Sequence, residues 1–97
     1  MVAVWLITGV SSGFGTDIAL QALAANQRVI GTVRSHTKAA SAVSAIESAG
    51  GQVLQLDVTD AAACLTVYQK AEQLHGRIDV LVNNAAYSLL GAIEDVR

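Results

Sequence analysis

A glycine-rich segment near the amino terminus has the residue types and spacing to bind a charged ligand. Residues 8–15 read Thr-Gly-Val-Ser-Ser-Gly-Phe-Gly, so three glycines follow a threonine with the spacing Gly-x3-Gly-x-Gly. Glycine adopts the φ angles of a sharp strand-to-helix turn at low cost. The first N–H groups and the positive dipole end of a following helix would then hold an anion. The segment predicts a pyrophosphate-binding loop, with a ligand-free glycine-rich turn as the alternative.

Each residue of this loop has an expected part. Gly9 would form the turn, Gly13 would let a pyrophosphate approach the backbone, and Gly15 would let the helix pack against the sheet. The hydroxyls of Ser11 and Ser12 would donate hydrogen bonds near the phosphates. Phe14 and Trp5 are candidates for the core, although Phe14 could instead shield the phosphates.

The elements that must position this loop follow from hydrophobic periodicity. Short apolar runs rich in β-branched residues predict strands at 2–7, 28–33, 52–56 and 79–82. Helical spacing predicts helices at 14–25, 38–49 and 60–75, with Thr59 or Asp60 as the cap of the third, and the start of a fourth at 91–97. The apolar stripes of the three complete helices are expected at Ile18, Ala19, Ala22 and Leu23, then Ala39, Ala42, Val43 and Ile46, then Cys64, Val67, Ala71 and Leu74. This alternation predicts a single α/β domain over residues 1–97 with a parallel sheet.

Composition excludes several classes of function. The net charge is -2 and there is no basic stripe, which argues against nucleic acid and anionic membranes as partners. No apolar run approaches the roughly 20 residues of a membrane span. The one cysteine, Cys64, cannot form an internal disulfide, which suits a reducing cytoplasm, and it is expected in the core. His36 and His75 stand apart from other ligand types, so we expect surface or capping roles and no metal.

Three further motifs, taken with the loop, identify a family. Asp57-Val58 ends the third predicted strand, Asn83-Asn84-Ala85-Ala86 follows the fourth, and Arg34 follows the second. Together with Thr-Gly-x3-Gly-x-Gly, this set resembles the short-chain dehydrogenase/reductase family. The resemblance covers the whole chain and implies a three-layer, Rossmann-like, doubly wound sheet with strand order 3-2-1-4. Ala86 departs from the family pattern, which has glycine there.

The resemblance implies a dinucleotide cofactor and assigns residues to it. Relatives that prefer NAD would present Asp or Glu near position 33 or 34, whereas Arg34 and Ser35 suit a 2′-phosphate, so NADP is favoured over NAD. Asp57 would accept from the adenine amine or cap the helix at Asp60, and both interpretations stay open. Val58, Asn83, Ala85 and Ala86 would line the cofactor pocket, and Asn83 would also hold the exit of the fourth strand.

No residue of this chain is assigned to catalysis. The family's serine, its Tyr-x3-Lys pair and its helix-borne asparagine lie beyond the Asn-Asn-Ala motif. Here Tyr68 is followed four positions later by Glu72 and Tyr87 by Gly91. We therefore expect the amino-terminal part of a longer NADP(H)-dependent oxidoreductase acting on an alcohol or ketone, inactive by itself. The alternatives are a non-catalytic NADP(H)-binding redox sensor and a structural or oligomer-forming piece with an empty loop.

The strand order implied by the resemblance also predicts self-association. In the order 3-2-1-4, the fourth strand would form an edge, although its sequence has the apolar character of a central strand. An unpaired apolar edge is a template for another strand. We expect a homo-oligomer, most simply a dimer, whose interface contains residues 78–82 and the segment from Tyr87 onward.

Overall fold

A computed structural model describes residues 2–11 and 13–84 of the chain. Four strands alternate with three helices in the order β1 (Val4–Thr8), α1 (Gly13–Ala24), β2 (Arg28–Val33), α2 (Ala40–Ser48), β3 (Gln52–Gln55), α3 (Ala61–His75) and β4 (Val80–Asn83). The predicted alternation is confirmed, and element bounds differ from the predicted ones by at most two residues. The predicted helix at 91–97 lies outside the described residues.

The four strands form one parallel sheet in the order β3-β2-β1-β4. Leu6 is paired with Ile30 of β2 on one side and with Leu81 of β4 on the other. The predicted order 3-2-1-4 is therefore confirmed. Because β2 and β4 flank β1 on opposite sides, the chain changes direction across the sheet at β1, and a crevice opens there at the carboxyl ends of the strands.

Two apolar cores, one on each face of the sheet, make the three layers. Side chains of β1 alternate between the faces, so Ile7 joins a core that includes Ala19 of α1 and Ile46 of α2. Leu6 points the other way, into a smaller core that contains Ala71 of α3. Helices α1 and α2 therefore cover one face and α3 covers the other. None of these three helices is long and apolar enough to cross a bilayer.

The helix stripes are buried to different extents. All four residues of the second predicted stripe are buried, three within α2 and Ala39 at its cap position, whereas on α3 only Ala71 is buried. The expectation for Leu74 is wrong, because 41% of this residue is exposed. Helix α3 begins at the Asp60 cap, whose carboxylate accepts from the Ala63 N–H, and ends at Gly76 in the left-handed conformation. Of the two predicted caps, Asp60 is therefore the one used.

The two aromatic core candidates have different environments. Trp5 is half-buried and packs against the core under α1, and its Nε1 is buried without a hydrogen-bond partner among the described residues. The core assignment of Phe14 is wrong, since 79% of this residue is exposed. Phe14 is the second residue of α1 and belongs to neither core.

Candidate functional site

The glycine loop connects β1 to α1 at the carboxyl edge of the sheet. Gly9 and Gly13 both have positive φ angles, 71° and 57°, which side-chain-bearing residues rarely adopt. Between them Val10 is fully buried, and its N–H donates to the carbonyl of Thr32 over 2.9 Å. The loop is therefore bound to β2 at its base, while a Cβ atom built on Gly13 would meet no atom within 4 Å.

Gly15 lies where the first turn of α1 crosses the end of β1. A Cβ atom there would collide with the carbonyl oxygen of Gly9 and would lie 2.9 Å from the side-chain nitrogen of Asn84. That Asn84 amide donates to the Gly9 carbonyl over 2.9 Å. Glycine at position 15 thus lets the helix, the loop and the end of β4 meet at one point.

Three threonine hydroxyls support the loop from below. The Gly9 N–H donates to the Thr32 hydroxyl over 3.3 Å, and the Thr16 hydroxyl donates to the Val10 carbonyl over 2.6 Å. The Thr8 hydroxyl donates to Asn83 Oδ1 over 3.2 Å, which joins the last residues of β1 and β4. Sequence reasoning assigned none of these roles to Thr16, Thr32 or Asn84. Position gave the advance signal: Thr16 lies in the first turn of α1, Thr32 is the penultimate residue of β2, and Asn84 directly follows β4 within the Asn-Asn-Ala motif.

A polar cleft of about 680 Å³ lies between the glycine loop and the turn after β2. Its lining residues are Ser11, Arg34, Ser35, Lys38 and Ala39. The Arg34 side chain is 82% exposed, and the Ser35 hydroxyl accepts from the Lys38 N–H over 3.3 Å. The structure therefore brings together the loop serine and the two residues expected at a ribose phosphate, and it adds Lys38.

Asp57 follows β3 by two residues and lies close to Arg34, although it is not among the residues that line the cleft. Its Oδ1 accepts from the hydroxyl and the N–H of Thr59, over 2.6 and 3.0 Å, and its Oδ2 lies 3.9 Å from Arg34 Nη2. The two hydrogen bonds from Thr59 are the main reason why the pKa of Asp57 lies below its ordinary value, and the positive charge of Arg34 makes a smaller contribution. The helix-capping interpretation of Asp57 is wrong, because Asp60 caps α3 with its own side chain.

An apolar cavity of about 270 Å³ opens on the α3 side of the same edge. Val58 and Asn83 line it, together with Cys64 and Tyr68 of α3. Cys64 is half-buried, and its thiol lies 3.6 Å from the Val58 carbonyl. Of the other residues expected at the cofactor, Ser12, Ala85 and Ala86 lie outside the described residues.

The described residues fit a phosphate-bearing dinucleotide. Gly13 leaves open space at the amino end of α1, and the first turn of that helix, which the structure describes in full, contains no acidic residue. A pyrophosphate there would meet free N–H groups and the positive end of the helix dipole. The adjoining cleft is lined by a guanidinium, an ammonium and two hydroxyls, one of which belongs to the loop itself. A parallel sheet of this order with such a loop at its switch point defines a Rossmann-like nucleotide-binding fold.

Comparison with known proteins identifies the family. The family model for short chain dehydrogenases matches residues 3–97. The chain is 46% identical over 92 residues to oxidoreductase claN of Passalora fulva, an alignment covering 94% of this chain and 41% of the relative. A short-chain dehydrogenase from Streptomyces avermitilis superposes with a TM-score of 0.75 at 43% identity, over 87% of this chain and 31% of that one. A metagenomic short-chain oxidoreductase in complex with NADP superposes with a TM-score of 0.72 at 30% identity, over 81% and 37% of the two chains.

The chain belongs to the short-chain dehydrogenase family, whose members bind NAD(P). It spans about two-fifths of the length of the fungal relative and about a third of the two solved structures. The family membership predicted from the glycine loop, Asp57-Val58 and the Asn-Asn-Ala motif is confirmed.

Proposed function

We propose that this chain is the NADP(H)-binding part of a short-chain dehydrogenase/reductase and forms, over residues 1–97, a single cofactor-binding Rossmann half-domain. The observation that carries the preference for NADP is the cleft beside the glycine loop, which Arg34 lines and to which no acidic side chain contributes among the described lining residues. A guanidinium favours a 2′-phosphate, whereas an NAD site offers a carboxylate to the ribose hydroxyls. The solved NADP complex of a relative supports the same cofactor class.

The positions of the loop, the cleft and the end of β3 support one arrangement of the cofactor. The pyrophosphate would lie over Gly9 and Gly13 against the amino end of α1, with Ser11 donating from the loop. Arg34 and Ser35 would bind the 2′-phosphate, and Asp57 and Val58 would border the adenine at the end of β3. When bound, the cofactor would supply or accept a hydride, and the complete protein would exchange it with an alcohol or ketone.

Calorimetric titration of the 97-residue chain with NADPH and NADH tests this proposal. We expect tighter binding of NADPH, and Arg34→Ala should weaken it by about 10- to 100-fold, the loss of one charged hydrogen-bonding partner, while NADH changes little. Arg28→Ala is the matched control, because Arg28 is exposed at the opposite, amino-terminal end of β2. Equal affinity of the wild-type chain for the two cofactors would overturn the NADP assignment.

We also propose that the chain self-associates through β4. No strand within residues 2–11 and 13–84 pairs with the outer side of β4, and Leu81 at its centre is 56% exposed. A second copy related by a two-fold axis at Leu81 would place its β4 antiparallel to the first, with Val80 of each copy opposite Val82 of the other. In this register the side chains of opposed residues lie on the same face of the extended sheet. The segment from Tyr87 onward, also expected at the interface, lies outside the described residues.

Sedimentation at micromolar concentration tests the self-association. The wild-type chain should sediment as a dimer, and Leu81→Lys should shift it to monomer, because a charge on an exposed edge opposes strand pairing. Leu65→Lys is the matched control, since Leu65 is comparably exposed, at 60%, but lies on α3. A wild-type monomer, or a dimer that survives Leu81→Lys, would contradict the proposal.

A further inference from the structure

Lys38 belongs to the cleft beside the glycine loop, although nothing in the family motif points to it. It lines the cleft together with Ser11 and Arg34. Its backbone is held in place, because its N–H donates to the Ser35 hydroxyl over 3.3 Å and the next N–H, of Ala39, donates to the Ser35 carbonyl over 3.0 Å. Ala39 is only 7% exposed and packs in the core under α1 and α2. The turn from Ser35 to Ala39 therefore fixes where the Lys38 side chain starts.

The charges around the cleft are not equivalent. Arg34 lies 3.9 Å from the Asp57 carboxylate, which is itself fixed by Thr59, so the guanidinium has an acidic neighbour. Lys38 forms no ion pair within the described residues. The cleft thus contains one cation that shares a carboxylate and one that shares none.

A 2′-phosphate needs more charge than Arg34 can supply. A phosphate monoester carries about -1.5 to -2 charges at neutral pH. The single charge of Arg34 would leave up to about one negative charge uncompensated, and without Lys38 the hydroxyls of Ser11 and Ser35 would bear it alone. The Lys38 ammonium lines the same cleft and can compensate this charge, because it is a compact point charge on a flexible side chain and needs no fixed hydrogen-bond geometry.

We propose that Lys38 is a second specificity-determining residue for the 2′-phosphate and that Lys38 and Arg34 bind this phosphate together. The assignment rests on the proposed function, namely that the glycine loop and this cleft take NADP(H). Lys38 contributes to the binding of the phosphorylated ribose and leaves the binding of unphosphorylated cofactor unchanged.

The test uses adenosine 2′,5′-bisphosphate and adenosine 5′-monophosphate, which differ only in the 2′-phosphate and need no turnover. Calorimetry would compare the wild-type chain with Lys38→Gln, Arg34→Ala and the control Lys70→Gln, which removes the same charge from the exposed surface of α3. Lys38→Gln should weaken the bisphosphate by about five- to tenfold, a typical range for one charged contact at an exposed site, and the monophosphate by less than about twofold. It should also reduce the loss of bisphosphate affinity between low and high salt.

The outcomes separate this assignment from the proposed function. A preference for the bisphosphate that Arg34→Ala removes and Lys38→Gln leaves intact overturns the role of Lys38 alone. A wild-type chain that binds both nucleotides equally overturns the proposed NADP preference and the role of Lys38 with it. A loss in Lys38→Gln that Lys70→Gln reproduces shows a general charge effect and also overturns the assignment. Circular dichroism of each variant establishes that the fold is retained.

Discussion

The side-chain amide of Asn84 donates a hydrogen bond to the backbone carbonyl of Gly9 over 2.9 Å. It thereby joins the end of β4 to the turn that follows β1, across 75 positions of sequence. Gly15 closes the same junction from the helix side, because a side chain there would collide with both partners. The shape of the glycine loop therefore depends on a residue that is not part of the glycine motif.

The first prediction concerns this junction. Asn84→Ala removes the donor and should lower the free energy of unfolding by about 1 kcal/mol, with NADPH binding weakened about fivefold as the loop loses its support. Asn84→Asp should lower the free energy of unfolding more than Asn84→Ala does, because a carboxylate oxygen would then face the Gly9 carbonyl oxygen. Urea unfolding and calorimetry measure the two effects. An Asp variant as stable as the wild type would show that the bond does not support the loop.

The second prediction concerns Gly31, a glycine inside β2. A Cβ atom there would lie 2.7 and 2.9 Å from the two methyl carbons of Val10, so the strand needs glycine because the loop residue packs onto it. Gly31→Ala should lower the free energy of unfolding by about 1–3 kcal/mol through overpacking. Val10→Ala should lower it by about 2 kcal/mol because buried methyl groups are lost. The double variant should cost less than the sum by about 1 kcal/mol. Strictly additive urea unfolding energies would contradict the packing relationship.

The third prediction concerns acid stability. Asp79 Oδ2 accepts from the Val4 N–H over 2.8 Å and from Arg77 Nε over 2.9 Å, and Arg77 also donates to the Val2 carbonyl over 2.6 Å. The Arg77 hydrogen bond and then the Val4 N–H hold the pKa of Asp79 below its ordinary value of 3.8. The carboxylate therefore stabilises the fold above that pH, and its contribution is lost as the pH falls through the ordinary value and then the lowered one.

Asp79→Asn should remove this part of the acid dependence. The amide oxygen can still accept from Val4, but the side chain no longer titrates. The urea midpoint of the variant should consequently fall less steeply than that of the wild type as the pH drops from about 5 to 2. If the two profiles run parallel, Asp79 is not a source of the acid sensitivity.

The fourth prediction concerns turnover. Within these 97 residues neither tyrosine is followed four positions later by lysine, so no such pair can supply a proton to the alkoxide oxygen during hydride transfer. The purified chain should bind NADPH without oxidising it in the presence of a panel of ketones, as followed by absorbance at the nicotinamide band. Steady NADPH consumption that disappears in Arg34→Ala, prepared identically, would assign activity to the chain itself and refute this expectation.

Local patterns predicted the elements well and their surroundings less well. The α2 stripe and the Asp60 cap depend on residues within a few positions of one another, and both appear in the structure. Phe14 and Leu74 are apolar at helical positions and yet exposed, because exposure depends on which element lies opposite. No element among the described residues covers Phe14 at the start of α1. Helix α3 contacts its face of the sheet mainly through Ala71, which leaves Leu74 partly exposed.

The sequence by itself determined the parallel α/β sheet, the strand-to-helix loop and the family, since each depends on residue spacing along a short stretch of chain. Only the tertiary structure decided that the Asn84 amide donates to the Gly9 carbonyl and that the packing of Val10 requires glycine at position 31. It also decided that Arg34 lies close to Asp57 and that Lys38 lines the same cleft as Arg34. These contacts join residues that are up to 75 positions apart. They arise because parallel strands bring their carboxyl ends to one edge, and the order of the strands selects which loops meet there.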